Sequence, residues 1–244
     1  MSTTHDLPAA HVHQDDAVAT HAGAPAVPAP LSTLLREGTR AEHEAAEGSR
    51  FVEDLLGGHL TVRAYADLAL QLHAVYTALE EVGEVVRATP EGAGLVFDEL
   101  LRVPALETDL EHLLGPGWRD QATPLPATAA YAAALRDLAR TPAGGPSVGG
   151  YVAHAYTRYL GDLSGGQVIG RMVQRHYGVA DAGVGFYAFG AIPKPKPFKD
   201  LYRERMDALP LDDAQRAAVV EDARAAFRHN RALFAALGEA HRAA

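Results

Sequence analysis

The chain contains no cysteine. That removes disulfides, thiolate metal ligands, covalent heme attachment and cysteine nucleophiles together, and it suits a reducing cytoplasm. Basic residues are in the minority, 22 Lys and Arg against 31 Asp and Glu, for a net charge of −9. A general nucleic-acid binder needs the opposite balance. No run approaches the roughly 20 apolar residues that span a bilayer, and the N-terminus lacks the basic start and apolar run of a signal peptide. A cytoplasmic protein with no membrane anchor and no nucleic-acid partner is therefore expected. Strand-like stretches are nearly absent as well: GFYAFGAIPKPKPF at 185–198 is the one candidate, and its prolines mark it as a loop.

What is present is a chain of 244 residues, 48% hydrophobic and 22% charged, enough for one globular domain with a sizeable core. Residues 1–30 are built of Ala, Pro, His and Asp without an aromatic side chain and read as a disordered tail whose four histidines would bind metal only weakly. From Leu31 the pattern turns helical. LSTLLREGTRAEHEAAE carries Leu31, Leu34, Leu35, Gly38 and Ala45 at three- and four-residue steps, with Ser32 placed to cap it. Further helices are expected at 61–87 opened by Thr61, at 105–114 stopped by Gly-Pro-Gly, at 128–140, at 198–209, and from Asp212, which has capping-box spacing to Gln215. Six or seven helices in one domain, 31–244, make an all-α bundle, and the interior between facing helices is the natural place for a cofactor.

Two helices carry unusual chemistry. In the segment from Val148 to Gly178, Gly161, Gly165, Gly166 and Gly170 interrupt an otherwise buried helical pattern, each at a cost of about 1 kcal/mol relative to alanine. Glycines at this density either let a flat ligand lie on bare backbone or let two helices pack closely, and the spacing does not choose between them. Asp162 lies in the same stretch, four residues after Arg158. The two form either a structural salt bridge or part of an ordered acid–water–arginine network for proton delivery. On the first helix, Arg36, Arg40 and His43 share a face. That arrangement is either a solvated basic face or an imidazole that ligates iron beside cations that hold two carboxylates, an edge that Lys199 and Arg203 would close. No histidine has a glutamate three residues before it, which disfavours a di-iron carboxylate site.

The run HAYTRYLGDLSGGQVIGR, 154–171, resembles the distal-helix signature of heme oxygenases nearly residue for residue. REGTRAEHEAAE, 36–47, is similar to the proximal helix of that family, and LHAVYTALEEVGE, FKDLYRERM and AFRHNRALF follow in the family's order. The resemblance covers Leu31 to the end of the last helix. It implies the heme oxygenase fold, with heme b sandwiched between a proximal and a glycine-kinked distal helix, and oxidative ring opening by O2 to biliverdin (the α isomer), carbon monoxide and ferrous iron. His43 would be the axial ligand of the heme iron. Gly161, Gly165 and Gly166 would let the distal helix kink over the heme face, and Asp162 would anchor a proton-delivering water network extended by Arg158, Tyr76 and Asn230. Arg36, Arg40, Tyr156, Lys199 and Arg203 would hold the propionates, and Phe227 would pack on the heme edge. Electrons would come from an external donor (a ferredoxin, a flavodoxin or an NAD(P)H-dependent reductase), because no flavin or nicotinamide motif occurs. Arginine stands at 36 and 40 where eukaryotic members often have lysine, which keeps the charge but changes the geometry of a carboxylate contact. The chain stops at HRAA without the C-terminal anchor of animal members, which implies a soluble, bacterial-type enzyme.

Three rivals remain at the level of sequence, and one of them, a structural helical module whose glycines merely permit packing, leaves Arg36, Arg40, His43, Lys199 and Arg203 unexplained. A heme carrier on the same fold would need His43 but not Asp162. A bundle hydrolase of thiaminase type would need a nucleophile, commonly cysteine, and there is none.

Overall fold

The computed structural model describes residues 29–142 and 144–242, except the Glu47 side chain; of the tail expected at 1–30, residues 1–28 lie outside the described residues. Among the described residues ten α-helices follow in order: α1 (Leu31–Gly38), α2 (Arg40–Glu47), α3 (Arg50–Leu56), α4 (Val62–Arg87), α5 (Val103–Leu114), α6 (Pro126–Asp137), α7 (Val148–Ala155), α8 (Gln167–Tyr177), α9 (Pro195–Asp207) and α10 (Asp213–Arg242). No β-strand occurs among the described residues.

The centre of the bundle is α4. Thr61 accepts a hydrogen bond from the Ala64 backbone N–H at 3.2 Å and starts it. The helix then buries fifteen residues over 26, too many for a one-sided amphipathic helix, so it is packed on several sides. Its neighbours are α5, α6, α7 and α10. The longest helix, α10, opens with the expected reciprocal box: Asp212 N–H donates to Gln215 Oε1 and Gln215 N–H to Asp212 Oδ1, both at 2.8 Å. It packs against α1, α2, α3, α4, α6 and α7, which makes it the common wall of both functional helices.

Three local outcomes differ from the sequence reading. Ser32 is not an N-cap, because α1 starts at Leu31. Its N–H and hydroxyl instead donate to Asp207 at 2.7 and 2.8 Å, so the last residue of α9 caps α1 from outside. The prolines at 195 and 197 do not extend the preceding loop. They open α9, in the first turn where a missing N–H costs nothing. The first helix bends at Thr39 (φ −112°, ψ 9°), whose hydroxyl donates to Leu35 O at 2.7 Å while the backbone ladder continues across it. That back-bonding is a known source of helix bending. The bend lies against α10: a Cβ on Gly38 would stand 2.6 Å from Val220 Cγ1, so only glycine lets the two helices approach so closely.

Candidate active site

The glycine-rich segment is helical throughout but underwound into wide turns. Between α7 and α8, Tyr156–Leu160 and Asp162–Gly166 form two successive π-helical turns. Such turns concentrate at functional sites and bend the helix that contains them. They also separate the glycines into two pairs. Gly161 and Gly165 are exposed, and a Cβ at either would meet nothing within 4 Å. Gly166 and Gly170 are buried against one aromatic ring, their would-be Cβ atoms 2.9 Å from Tyr187 Cδ1 and 3.2 Å from Tyr187 Cβ. One pair leaves bare backbone facing open space, and the other, offset from it by five residues, admits a packed tyrosine.

The polar residues gather on the inner side of this segment. No direct ion pair joins Arg158 to Asp162, because the π turns displace the i,i+4 alignment that an α-helix would give. Tyr76 of α4 stands between them. Arg158 Nε donates to the Tyr76 oxygen at 3.2 Å and the Tyr76 hydroxyl donates to Asp162 Oδ2. Arg158 Nη1 donates to Asn230 Oδ1 of α10 at 2.8 Å. Four residues from three regions of sequence therefore form one hydrogen-bonded chain, Asp162–Tyr76–Arg158–Asn230. Tyr76, Arg158 and Asn230 are buried.

Burial holds the Asp162 carboxyl above its usual range, while Arg158, the Tyr76 hydrogen bond and Arg102 pull it back. Burial also pushes the Tyr76 phenol well above its ordinary value, so it stays a hydroxyl. For Arg158, burial opposes the charge but Tyr76, Asp162 and Tyr131 outweigh it, and the guanidinium remains ionised. The chain thus places a carboxyl held above its usual range by burial, linked through Tyr76 to a fixed cation, next to the bare Gly161 backbone.

Sequence reading did not find Arg102 or Glu80. Arg102 is buried, lies 4.1 Å over the Phe189 ring and donates to Leu100 O and Ala188 O at 3.0 and 2.9 Å. Its charge reaches Asp162. Glu80 accepts from the Arg102 and Val103 backbone N–H groups at 2.6 and 3.1 Å and holds that turn. Nothing in a loop arginine ahead of α5 signals this role; only the packing of α4 against α5 does.

On the proximal side, His43 is exposed on α2, and its ring meets Phe227 of α10 edge-on at 5.6 Å. Phe227 and Asn230 are one turn apart on α10, so a single helix face touches both His43 and the distal chain. At the open edge, burial raises the Tyr156 phenol, while Arg203 and Arg36 act on it in the opposite direction; residues from the distal segment, α9 and α1 thus lie together. Lys199 Nζ donates to Ser164 Oγ at 3.1 Å, and Arg203 pairs with Asp200 at 3.1 Å. Arg40 is exposed at the start of α2.

The residues present fit a flat, anionic macrocycle. Gly161 and Gly165 offer backbone with space above it, an imidazole stands on α2 against Phe227, and Arg36 and Arg203 gather at Tyr156 with Lys199 at Ser164. Among the described residues no group of three or more His, Asp or Glu could hold a bare metal ion, and no helix is long and apolar enough to cross a membrane.

This architecture, an all-α bundle with His43 on a bent first helical arm and Asp162 in a π-helical segment lined by bare glycine backbone, defines the class. The family model for heme oxygenase matches residues 29–236. The chain is 38% identical over 204 residues to heme oxygenase 1 of Synechocystis, covering 84% of this chain and 83% of that protein. It is 38% identical over 216 residues to human heme oxygenase 1, covering 87% and 73%. Among solved structures, Synechocystis heme oxygenase 1 in complex with heme superposes with a TM-score of 0.81 at 36% identity, over 88% of this chain and 95% of that one. Heme oxygenase from Leptospira interrogans gives 0.78 at 33%, over 84% and 98%. The chain belongs to the heme oxygenase family, and its activity is that of a heme oxygenase.

Proposed function

We propose that heme b binds beside this segment as both cofactor and substrate: His43 would hold its iron, and the Asp162–Tyr76–Arg158–Asn230 chain would be the proton-handling side. The observation that carries this reading is the hydrogen-bonded chain ending beside the bare backbone of Gly161 and Gly165. Bound heme supplies the redox-active iron at which O2 is reduced and the ring that is opened to biliverdin, carbon monoxide and ferrous iron.

The protein's own part is positional and protic. Gly161 and Gly165 admit the ring face against backbone, and Gly166 holds the π-helical turn in place by packing on Tyr187. Arg36, Arg40, Tyr156, Lys199 and Arg203 hold the propionates and so fix rotation of the ring, which decides the α isomer. Phe227 orients the His43 imidazole. Asp162, poised toward protonation by its burial and held by Tyr76, passes protons through ordered water into the cleft, and Arg158 and Asn230 keep that geometry. A carrier on the same fold would have no use for Asp162. Electrons come from an external ferredoxin, flavodoxin or NAD(P)H-dependent reductase, and the absence of cysteine suits a reducing cytoplasm.

The test is an optical titration of purified protein with hemin, followed by an electron donor in air. Saturable binding, then loss of the Soret band with bilin absorption and carbon monoxide release, is expected. A stable Soret band under several donors would make the protein a carrier, and no saturable binding would remove the reading altogether.

A further inference from the structure

Behind the distal chain lies an aromatic cluster that the proposed reaction does not use. Tyr131 of α6 is fully buried. Its hydroxyl lies 3.2 Å from Nδ1 of His154 on α7, and its ring stacks on His229 of α10, centroids 4.7 Å apart and 3° from parallel. Burial holds the His154 imidazole down to about 3, with His229 acting in the same direction, so that ring is neutral. Its Nδ1 then accepts from the Tyr131 hydroxyl, an assignment made from this geometry. Burial, with Arg228, also lowers His229, so the stack is between two uncharged rings.

The sequence neighbours of this cluster give it a purpose. His229 directly precedes Asn230, whose Oδ1 accepts from Arg158. His154 stands four residues before Arg158 on the same continuous helix. Tyr131 therefore grips, through its two faces of contact, the two backbone segments whose side chains make the Arg158–Asn230 hydrogen bond. A flat-on-flat stack restrains both the approach and the roll of α10, whereas an aliphatic side chain of similar volume restrains only the approach. His229 is half-buried, so filling the core does not by itself account for an imidazole there.

We propose that His229 is a positioning residue for the distal chain: stacked on Tyr131, it fixes the roll of α10 so that Asn230 stays on Arg158, and Arg158 on the Tyr76 hydroxyl. The inference rests on the reading of this cleft as a heme site. It concerns the stack and not a titration of His229.

The full chain is compared with His229→Phe, which keeps a flat ring, and His229→Leu, which fills the volume without one. The first measurement is the pH midpoint of the optical transition between water- and hydroxide-ligated ferric heme, which reports the hydrogen bonds on the distal side. Hemin affinity and unfolding temperature of the ligand-free chain are measured beside it. His229→Leu is expected to move the midpoint by about half a pH unit, the size of one weakened hydrogen bond, with hemin affinity unchanged because His43 is untouched. His229→Phe is expected to restore the wild-type midpoint. An unmoved midpoint in His229→Leu overturns the proposal. So does His229→Phe moving as far as His229→Leu, since the ring nitrogens and not the stack would then matter. Should His229→Leu fail to fold, His229→Met takes its place with the same outcomes. Failure of the unaltered chain to bind hemin would instead overturn the functional reading beneath the proposal.

Discussion

The two sides of the proposed heme site are built on opposite principles. The distal wall is finished before any ligand arrives. Its π-helical turns are locked by Tyr187 against Gly166 and Gly170, and Arg158 is held by Tyr76 and Asn230, with every member of the chain tied to another helix. The proximal wall is a short bent helix with His43 exposed and with Arg36 and Glu37 paired at 3.6 Å while largely in water, a contact worth little. Buried hydrogen-bonded groups are costly to disturb, whereas exposed ones are not. The distal side therefore carries its geometry as folding stability, whereas the exposed side chains of the proximal side add little to it.

The largest separation of the two walls is expected from His43→Ala. It should abolish the axial coordination seen in the optical spectrum of the hemin complex, yet move the stability of the ligand-free chain by no more than about 0.5 kcal/mol in denaturant titration, as for other exposed positions. Asp162→Ala should retain hemin but lose biliverdin formation. Normal bilin yield from that variant would show that the proton path does not run through this carboxyl. Arg158→Met should behave unlike either, destabilising the ligand-free protein by about 2–4 kcal/mol because Asn230 Oδ1 loses its donor and Asp162 its nearby cation.

The glycine pairs give a finer contrast within one helix. Gly166→Ala should cost about 1–3 kcal/mol, since the new Cβ would meet the buried Tyr187 ring. Gly161→Ala should do the reverse, stabilising the ligand-free chain by about 0.5–1 kcal/mol while weakening hemin binding. Equal effects at the two positions would show that the division into a ligand-facing and a packing pair is mistaken.

The smallest expected effect is a pH dependence. Burial keeps His154 neutral in the folded state down to about 3, whereas the unfolded residue takes up a proton near its ordinary value of about 6.5. The unfolded chain thus binds more protons in that window, so stability is full above it and is lost as pH falls through it. His73 and His229, also lowered by burial, act in the same sense. Thermal unfolding of the ligand-free protein between pH 7 and 5 should show this slope, and His154→Gln should flatten it. An unchanged slope in that variant would assign the acid sensitivity to other groups.

Much of this was legible in the sequence because it is local. Helix starts at Thr61 and Asp212 follow from a side-chain oxygen within reach of the next turn's N–H groups, and the stop at Gly115, with φ at 84°, follows from a backbone that other residues avoid. The excess of glycine beside Asp162 marked a special segment for the same reason. Whether each glycine faced a ligand or a neighbour could not be read there, because the answer lies in Tyr187, some twenty residues away.

The sequence alone determined an all-α chain with a histidine and cations on one helix and an acid among glycines on another, since hydrophobic period, capping and residue chemistry are properties of short stretches. Tertiary structure alone decided that Tyr76 and not a direct ion pair would join Arg158 to Asp162, that Asp207 would cap α1, and that Arg102 would lend its charge to the site. Each of these depends on residues distant in sequence meeting in a dry interior, where the cost of an unpaired polar group selects the partner.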